Sequence, residues 1–333
     1  MPSDEAENDD LEADEPVRLA VAGGPESGLR LDKAMAQLWP DWSRARLRDA
    51  IEQGAARLNG RAAAPRATVV AGDRIELDAT PRPEQLAFRA EPIPLAIRYE
   101  DRAILVIDKP AGLVVHPAAG HWSGTLLNGL LAHDPQLAAL PRAGIVHRLD
   151  AETSGLMVVA RTAAAQLDLV RQLQQRTVTR EYWAIVYGSV PAEGSIDAAI
   201  GRDRRNPRRF SAGGIAARAA VTHYRRAAAG HVDGIRASWV VCRLETGRTH
   251  QIRVHLESIG HPLVGDPVYR QHRPAGATDT ALARQALHAA RLALRHPDDQ
   301  AQRGWFAAPP PDLAALMDRA GFGPLDRPSA VFE

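Results

Sequence analysis

The sequence predicts an α+β protein with a small N-terminal domain and a larger mixed domain. Strand-like segments dominate from Ile97 onward and do not alternate regularly with helical ones, which is the pattern of an α+β fold. The 333 residues are enough for two domains. A content of 45% hydrophobic and 24% charged residues is ordinary for a globular protein.

The chain begins with a strongly acidic segment. Residues 1–16 hold eight acidic residues and no basic one, so we expect a disordered tail. Without this segment, 41 basic residues stand against 32 acidic ones. Such an excess indicates a polyanionic partner, although it also serves solubility.

The cysteine content and the lack of targeting or membrane-spanning patterns indicate the cellular compartment. Cys242 is the single cysteine and cannot form an intrachain disulfide, which fits a reducing compartment. The acidic start lacks the pattern of a signal peptide, and no apolar run approaches the roughly 18 residues that span a bilayer. We expect a soluble, cytoplasmic monomer with no membrane partner.

Residues 17–78 predict a compact N-terminal domain. Apolar residues at helical spacing indicate a first helix, namely Leu31, Ala34, Met35 and Leu38. Ser43 is typical of an N-cap for a second helix over Arg44–Gln53. Asn59-Gly60 is a hairpin signal, and a short strand is predicted over Arg74–Leu77.

Four prolines from Pro81 to Pro94 interrupt regular structure, so residues 79–92 are predicted to be a linker and residues 93–327 the larger domain. Strands are predicted over 104–107, 112–116, 155–159, 181–187, 239–244 and 251–256. The clearest helix is Ala163–Arg176. Thr162 is its expected cap, and its expected inner stripe is Leu167, Val170 and Leu173.

The segment GIVHRLDAETSGLMVVA (144–160) places ionisable side chains between two apolar runs. In an extended chain Arg148 and Asp150 share one face, and a buried Asp needs a cationic or hydrogen-bonding partner. Taken alone, the pair predicts a structural ion pair that closes a turn. A second segment, 251–256, alternates apolar residues with Gln251, Arg253 and His255, which suits the lining of a polar cleft.

Five motifs together resemble one enzyme family. They are KPAGLVVHP (109–117), GIVHRLDAETSGLMVVART (144–162), REYWAIVYG (180–188), LETGRTHQIRVHLESIGHPLVGDPVY (244–269) and ALHAARLALRHP (286–297). In this order and spacing they resemble the RluA-type pseudouridine synthases over roughly residues 93–317, and most of all the group acting on the large ribosomal subunit. Residues 29–77 separately resemble an S4 RNA-binding domain.

The resemblance implies the pseudouridine synthase fold, with a largely antiparallel sheet, and the isomerisation of uridine in RNA without metal or other cofactor. Asp150 would be the essential carboxylate, acting as a nucleophile at C1′ or C6 or as a base toward the ribose; the sequence leaves these routes open. Arg253 would pair with Asp150 and favour its ionised form. Tyr182, which alone would be taken for a core aromatic, would stack on the target base. Arg148 would fill the gap left by the extruded nucleotide.

Further RNA contacts are predicted for two groups of residues. In the larger domain these are His147, Thr153, Arg248, His250 and Gln251, and in the S4-like domain Arg44, Arg46 and Arg48. The arginine-rich stretch 202–210 is also expected to contact the RNA backbone. Members of the family usually carry Lys or Arg directly after the catalytic Asp and Asp one residue further on, whereas Ala151 and Glu152 stand here. We expect the missing cation to weaken an RNA contact.

Other functions remain as alternatives. The partner implied by the resemblance is 23S rRNA or the large ribosomal subunit, whereas tRNA or another rRNA site is an alternative substrate. A non-catalytic RNA-binding assembly factor is the alternative from a different class, but such a protein has no need of Asp150 together with Tyr182 and Arg253. A metal site is not predicted, because His250 and His255 are five residues apart and no CxxC or HExxH pattern exists.

Overall fold

The computed structural model of the protein describes residues 17–78, 87–118, 121–206, 209–277 and 282–323. The chain divides into two compact units between Glu84 and Gln85. The predicted acidic tail, residues 1–16, and most of the predicted linker, residues 79–86, lie outside the described residues. Among the described residues, no helix is long and apolar enough to cross a membrane.

The N-terminal unit combines two helices with an antiparallel sheet of strand order β1-β4-β2-β3. Its elements are β1 (Val17–Val21), α1 (Leu31–Leu38), α2 (Arg44–Glu52), β2 (Ala56–Leu58), β3 (Arg61–Ala62) and β4 (Arg74–Asp78). The predicted cap is confirmed, since Ser43 Oγ accepts a hydrogen bond from Arg46 N at 3.3 Å. The predicted hairpin is confirmed as well, because Asn59 and Gly60 take φ angles of 49° and 74° between β2 and β3.

The described part of the larger unit contains a long mixed sheet. Its strands are β5 (Ile97–Glu100), β6 (Ile104–Lys109), β7 (Ser154–Ala160), β8 (Thr179–Tyr187), β9 (Glu193–Asp197), β13 (Val221–Val232), β14 (Ile235–Leu244), β15 (Leu287–Arg295) and β16 (Gln302–Phe306). They are ordered β5-β6-β7-β15-β8-β14-β13-β9, with β16 also paired to β15. Only β7 and β15 pair in parallel among these strands. The predicted α+β class with a largely antiparallel sheet is confirmed.

A small sheet and four helices complete this unit as described. The small sheet has the order β11-β10-β12, from β10 (Ile200–Arg202), β11 (Phe210–Ala212) and β12 (Ile215–Arg218). The helices are α3 (Leu126–His133), α4 (Ala163–Gln174), α5 (Gln251–Ser258) and α6 (Pro311–Arg319). Along β8, Tyr182 and Val186 join the core formed with α3 and α5, whereas Trp183 and Tyr187 join the core formed with α6. Both faces of β8 are therefore buried, and Tyr182 faces the side of α5.

Residues 87–92, the end of the predicted linker, are bound to the larger unit. Asn128 Nδ2 donates a hydrogen bond to Arg89 O at 2.7 Å. Glu91 N donates in turn to Asn128 O at 3.1 Å. This short segment is thus held against α3 by a buried side chain.

Most of the elements predicted for the larger domain are confirmed. Strands occur where they were expected at 104–107, 155–159, 181–187 and 239–244. Thr162 caps α4 by accepting a hydrogen bond from Ala165 N at 3.1 Å. The predicted inner stripe of α4 is only partly right: Leu173 packs against the core, Leu167 does not, and the buried residues are Ala165, Leu169 and Gln172. The helix is turned so that the Gln172 amide bonds Arg295 O at 2.7 Å, which leaves Leu167 exposed.

The strand predicted over 251–256 is wrong, because these residues begin helix α5. Helix α5 is buried from Gln251 to Glu257, so its polar residues do not mark a solvent face. Each finds a protein partner instead; His255, for example, bonds Thr222 Oγ1 at 2.8 Å and Ala198 O at 2.9 Å. A helix enclosed on all sides shows no helical periodicity, and β-branched Ile252 and Val254 then imitate a strand.

The strand predicted over 112–116 is also wrong, because this segment is irregular. Its carbonyl groups are used elsewhere. Leu113 O accepts a hydrogen bond from Lys109 Nζ, and Val114 O accepts one from Leu126 N at the start of α3. The backbone carbonyls of the apolar run therefore accept hydrogen bonds from a helix N-terminus and a buried lysine, and not from a neighbouring strand.

Gly155 is required where β7 and β15 run in parallel. Its φ is +113°, and a Cβ atom there would contact the backbone of Ala289, including Ala289 N at 2.6 Å. We expect Gly155→Ala to lower the free energy of unfolding by about 3 kcal/mol or more, from strain and overlap together. Gly234→Ala, at φ +78° with open space around it, should cost only about 1–2 kcal/mol. Urea unfolding of both variants tests this, and equal losses would contradict the overlap.

Candidate active site

Asp150 is placed by a tight turn directly before β7. Thr153 N donates a hydrogen bond to Asp150 O at 3.1 Å and closes the turn. Leu149 is buried in the main core, which fixes the chain on one side of Asp150. The Asp150 side chain is 15% exposed and lines a cleft. A carboxylate is thus held at the entrance of a central strand, open to a ligand.

The segment before this turn is only partly extended. Ile145 forms an isolated bridge with Val159, and His147 Nε2 accepts a hydrogen bond from Val158 N at 3.1 Å. The segment therefore runs antiparallel to the second half of β7. Arg148 is exposed and lines the same cleft as Asp150, as the extended reading of the two residues predicted.

Two buried basic side chains hold the backbone of the turn. Lys109 Nζ donates to the carbonyl of Ala151 at 2.7 Å and to two carbonyls of its own loop, and burial lowers the pKa of Lys109 to about 7. Arg284 Nη1 donates to Glu152 O at 3.2 Å, while the rest of its guanidinium binds the Asp312 carboxylate. The turn uses the carbonyl of residue 151 and not its side chain, so alanine at this position leaves Asp150 in place.

Arg253 bridges two carboxylates. Arg253 Nη1 lies 3.2 Å from Asp150 Oδ2, and Nε and Nη2 bind Asp266 at 2.7 and 2.9 Å. Asp266 is fully buried and also accepts hydrogen bonds from the backbone N–H groups of Val268 and Tyr269. Burial acts to lower the pKa of Arg253, but the two carboxylates raise it overall. The guanidinium is therefore a fixed cation beside Asp150, oriented by Asp266.

Tyr182 and His250 complete the walls around the carboxylate. Tyr182 is 5% exposed, lines the cleft, and its hydroxyl makes no hydrogen bond to a described residue. Burial raises the pKa of Tyr182, so the phenol is neutral at neutral pH. His250 Nε2 lies 3.9 Å from Asp150 Oδ1, and its Nδ1 shares a 2.8 Å hydrogen bond with Tyr269 Oη. Burial lowers the pKa of His250, although Asp150 acts in the opposite direction.

The structure brings together most of the site residues predicted for the larger domain. The cleft is lined by Arg148, Asp150, Thr153, Tyr182, Arg248, His250, Gln251 and Arg253, with further residues between them. His147 lies outside the cleft and lines a neighbouring cavity. A carboxylate, a fixed cation, a neutral phenol and an exposed arginine in one cleft can bind a planar base and stabilise charge at its sugar.

Several residues predicted to contact RNA have partners within the protein. The Gln251 amide bonds Thr246, Val221, Thr222 and Arg248 N. In the N-terminal unit, Arg44 pairs with the buried Asp32 at 2.7 Å, Arg48 pairs with Glu52 at 2.9 Å, and Arg46 lies 3.4 Å from the centre of the Trp42 ring. In the arginine-rich stretch, Arg209 pairs with Glu257 at 2.8 Å, and residues 207–208 lie outside the described residues. The RNA contacts of all these residues stay predictions.

Two residues of the site escaped prediction. Asp266 belongs to the quoted motif GDPVY, and a buried Asp next to Gly and Pro is the signal that could have drawn attention to it. Arg180 lies on β8 two residues before Tyr182, lines the cleft and is only 7% exposed. Its signal was a lone arginine directly before the apolar strand predicted over 181–187.

The chain is similar to known proteins over most of its length. A family model described as RNA pseudouridylate synthase matches residues 103–258, which include Asp150, Tyr182 and Arg253. A ribosomal large subunit pseudouridine synthase D of Neisseria meningitidis is 50% identical over 307 residues, covering 90% of this chain and 80% of the relative. A protein of the same name from Pseudomonas aeruginosa is 48% identical over 302 residues, covering 87% of this chain and 91% of the relative.

Solved structures give a similar result. Human RNA pseudouridylate synthase domain containing 1 is 28% identical with a TM-score of 0.54, and the match covers 68% of this chain and 89% of the human one. Human RNA pseudouridylate synthase domain containing 4 matches with a TM-score of 0.52 at 24% identity, covering 68% of this chain and 93% of that one, which bears on the fold alone.

Proposed function

Because this chain belongs to the RNA pseudouridylate synthase family and is an isomerase that converts uridine in RNA to pseudouridine, we propose that Asp150 is its catalytic carboxylate. The observation that carries this proposal is the 3.2 Å contact between Asp150 and the fixed Arg253 in a cleft walled by Tyr182. A carboxylate in this place has a permanent counter-ion on one side and open space for a nucleotide on the other.

The reaction leaves the elemental composition of the nucleoside unchanged. The C1′–N1 bond breaks, a C1′–C5 bond forms, the proton leaves C5, and N1 gains a proton. Asp150 serves as a nucleophile at C1′ or C6, or as a base toward the ribose; each route needs the ionised carboxylate, which Arg253 favours. The isomerisation is redox-neutral, so it consumes no oxidant or reductant.

Access to the glycosidic bond requires that the uridine leaves its stack in folded RNA. Extrusion of a nucleotide costs a few kcal/mol. Arg148 is exposed at the edge of the cleft, directly before Leu149 and Asp150, and its planar guanidinium can stack on the bases left behind. We assign to Arg148 the role of filling the vacated position.

Tyr182 is assigned a base-stacking role and a part in proton movement at C5. We expect Tyr182→Phe to keep RNA affinity and to slow the single-turnover rate by about 100-fold, because the ring remains and the hydroxyl is lost. Tyr224→Phe is the matched control, since Tyr224 belongs to the same core but lies outside the cleft. An unchanged rate for Tyr182→Phe would remove the hydroxyl from the reaction.

The substrate proposed is large-subunit ribosomal RNA, as the names of the similar proteins indicate. Pseudouridines would be mapped in all RNA of a strain lacking the gene, and in the same strain carrying the wild-type or the Asp150→Asn protein. Loss of specific large-subunit positions, restored by the wild type alone, is the expected result. Loss in tRNA or the small subunit would contradict the substrate, and no loss at all would favour a non-catalytic role.

The N-terminal unit is proposed to be the S4-like RNA-binding domain, covering residues 17–78. It would be joined to a catalytic domain over 93–327 through the predicted linker 79–92, whose last residues, 87–92, lie against α3 of the larger unit. The arginines of α2 carry this proposal, because Arg46 and Arg48 are exposed on one helix of a compact unit. Nothing in this assignment requires Arg44, which is tied to Asp32.

We expect the double change Arg46→Gln and Arg48→Gln to weaken binding to long rRNA fragments. It should reduce the salt slope of binding by about two, because two phosphate contacts are lost, and leave turnover of a short stem-loop unchanged. Arg98→Gln with Arg102→Gln removes the same charge from the larger unit as a control. A slope equal to the wild-type one would contradict the role of α2.

A further inference from the structure

A second cavity of about 290 Å³ adjoins the catalytic cleft, and we call it the flanking pocket. It is lined by three arginines and two histidines, namely Arg142, Arg148, Arg180, His116 and His147, and by one acidic residue, Glu245. Glu245 is already engaged, since His223 Nε2 lies 2.7 Å from it and Arg176 pairs with it. The lining is therefore strongly positive.

Arg180 is a buried residue of the flanking pocket whose side chain lacks a partner among the described residues. Its side chain is more than nine-tenths buried, its Nε has no partner, and its guanidinium makes no hydrogen bond or ion pair to the described residues. A buried N–H donor without an acceptor is unfavourable, so Arg180 Nε lacks a partner that a bound anion could supply. Arg253 on α5 is paired with two carboxylates, whereas Arg180 has none among the described residues.

Other unpaired polar atoms surround the same cavity. His116 Nε2 and His147 Nδ1 are buried without partners, as is Arg180 Nε. Three of the seven such atoms among the described residues thus belong to residues lining this one pocket. Burial lowers the pKa of His116 to about 4 and that of His147 to about 3, so both rings are neutral and the positive charge comes from the arginines.

The flanking pocket shares a wall with the catalytic cleft. Arg148, Arg180 and Gly247 line both cavities. A Cβ atom at residue 247 would lie 3.1 Å from Arg180 Nη1, so glycine at this position lets the loop cover the guanidinium. A nucleotide extruded into the cleft carries its own phosphodiesters with it, and the shared wall lies within the lining of that cleft, where such a group can reach it.

We propose that the flanking pocket binds a phosphodiester next to the target uridine, and that Arg180 supplies its counter-charge. This inference rests on the proposed function, in which the cleft holds a uridine of RNA. The anion would complete the hydrogen bonding of Arg180 and would fix the ribose relative to Asp150.

The test combines a protein change with an RNA change. Arg180→Met keeps the size of the buried side chain and removes the charge, and Arg180→Lys keeps the charge. Each would be assayed in single turnover on an RNA containing the mapped target, with a neutral methylphosphonate placed in turn 5′ or 3′ of that uridine. Arg236→Met, an exposed arginine outside both cavities, is the protein control, and a methylphosphonate two nucleotides away is the RNA control.

We expect Arg180→Met to lower kcat/KM about 10- to 100-fold on native RNA, with partial recovery in Arg180→Lys. One of the two neutral linkages should cause a similar loss in the wild type and no further loss in Arg180→Met. The inference would be overturned if the losses from Arg180→Met and from the neutral linkage were additive. It would also be overturned if Arg180→Met lost binding of inorganic phosphate, measured separately, while neither neutral linkage affected the wild type. Failure of the wild type on every native RNA would refute the proposed function instead.

Discussion

Asp150→Asn is expected to abolish pseudouridine formation while RNA affinity stays within about twofold of the wild type. The amide keeps the shape of the side chain but removes the charge that contacts Arg253, and it can act neither as nucleophile nor as base. Loss of a reacting group of this kind lowers turnover by about 10⁴-fold or more. Nucleoside analysis of the product in single turnover and filter binding of the RNA measure the two quantities.

A matched variant tests whether the loss of activity is specific to the Asp150 carboxylate or follows from the loss of any negative charge nearby. Glu152→Gln removes an exposed acidic group two residues away, whose side chain does not line the cleft. It should retain nearly full activity. If Asp150→Asn turned over at the rate of Glu152→Gln, the carboxylate would have no part in the reaction.

Arg253→Ala is expected to damage both activity and stability. Removing the guanidinium leaves the fully buried Asp266 without its cation, which costs about 3–5 kcal/mol of unfolding free energy. It also leaves Asp150 without a fixed counter-ion, and we expect turnover to fall by about 10²- to 10³-fold. Urea unfolding and single-turnover kinetics, taken on the same preparation, measure the two effects.

Two further variants distinguish a loss of catalysis from a failure of Arg253→Ala to fold. Arg253→Lys keeps a cation but cannot bind both carboxylates at once, so it should be folded and still slow. Asp266→Asn weakens the orientation of Arg253 while the contact with Asp150 remains, and should lose less activity than Arg253→Ala. A folded Arg253→Lys with wild-type turnover and an unchanged pH profile would contradict the role assigned to the guanidinium.

Much of the fold could be predicted because its strands show their own pattern. Strands β6, β7 and β8 are covered on both faces, and their apolar runs report that burial directly. Helix α5 could not be predicted in this way, since an enclosed helix has no polar face and its polar side chains are paired inside the protein. Sequence periodicity identifies an element only where one of its faces meets water.

The residues of the site were predicted mainly from the resemblance to a known family, and less from the physical properties of each segment. Asp150 and Arg253 are 103 residues apart, and nothing local to either segment brings them to 3.2 Å. Asp266 and Arg180 were missed because their importance depends on tertiary surroundings. Asp266 is important because the chain after α5 folds back and places its carboxylate against Arg253. Arg180 is important because no carboxylate lies beside its buried Nε.

Release of tritium from RNA carrying 5-tritiated uridine tests the central claim most directly, because the C5–H bond is lost once in every isomerisation. The wild type should release one tritium for each pseudouridine formed at the mapped position. Asp150→Asn, bound to the same RNA with the same affinity, should release none. Release by Asp150→Asn at the wild-type rate would contradict the assignment of Asp150 as the carboxylate that drives this reaction.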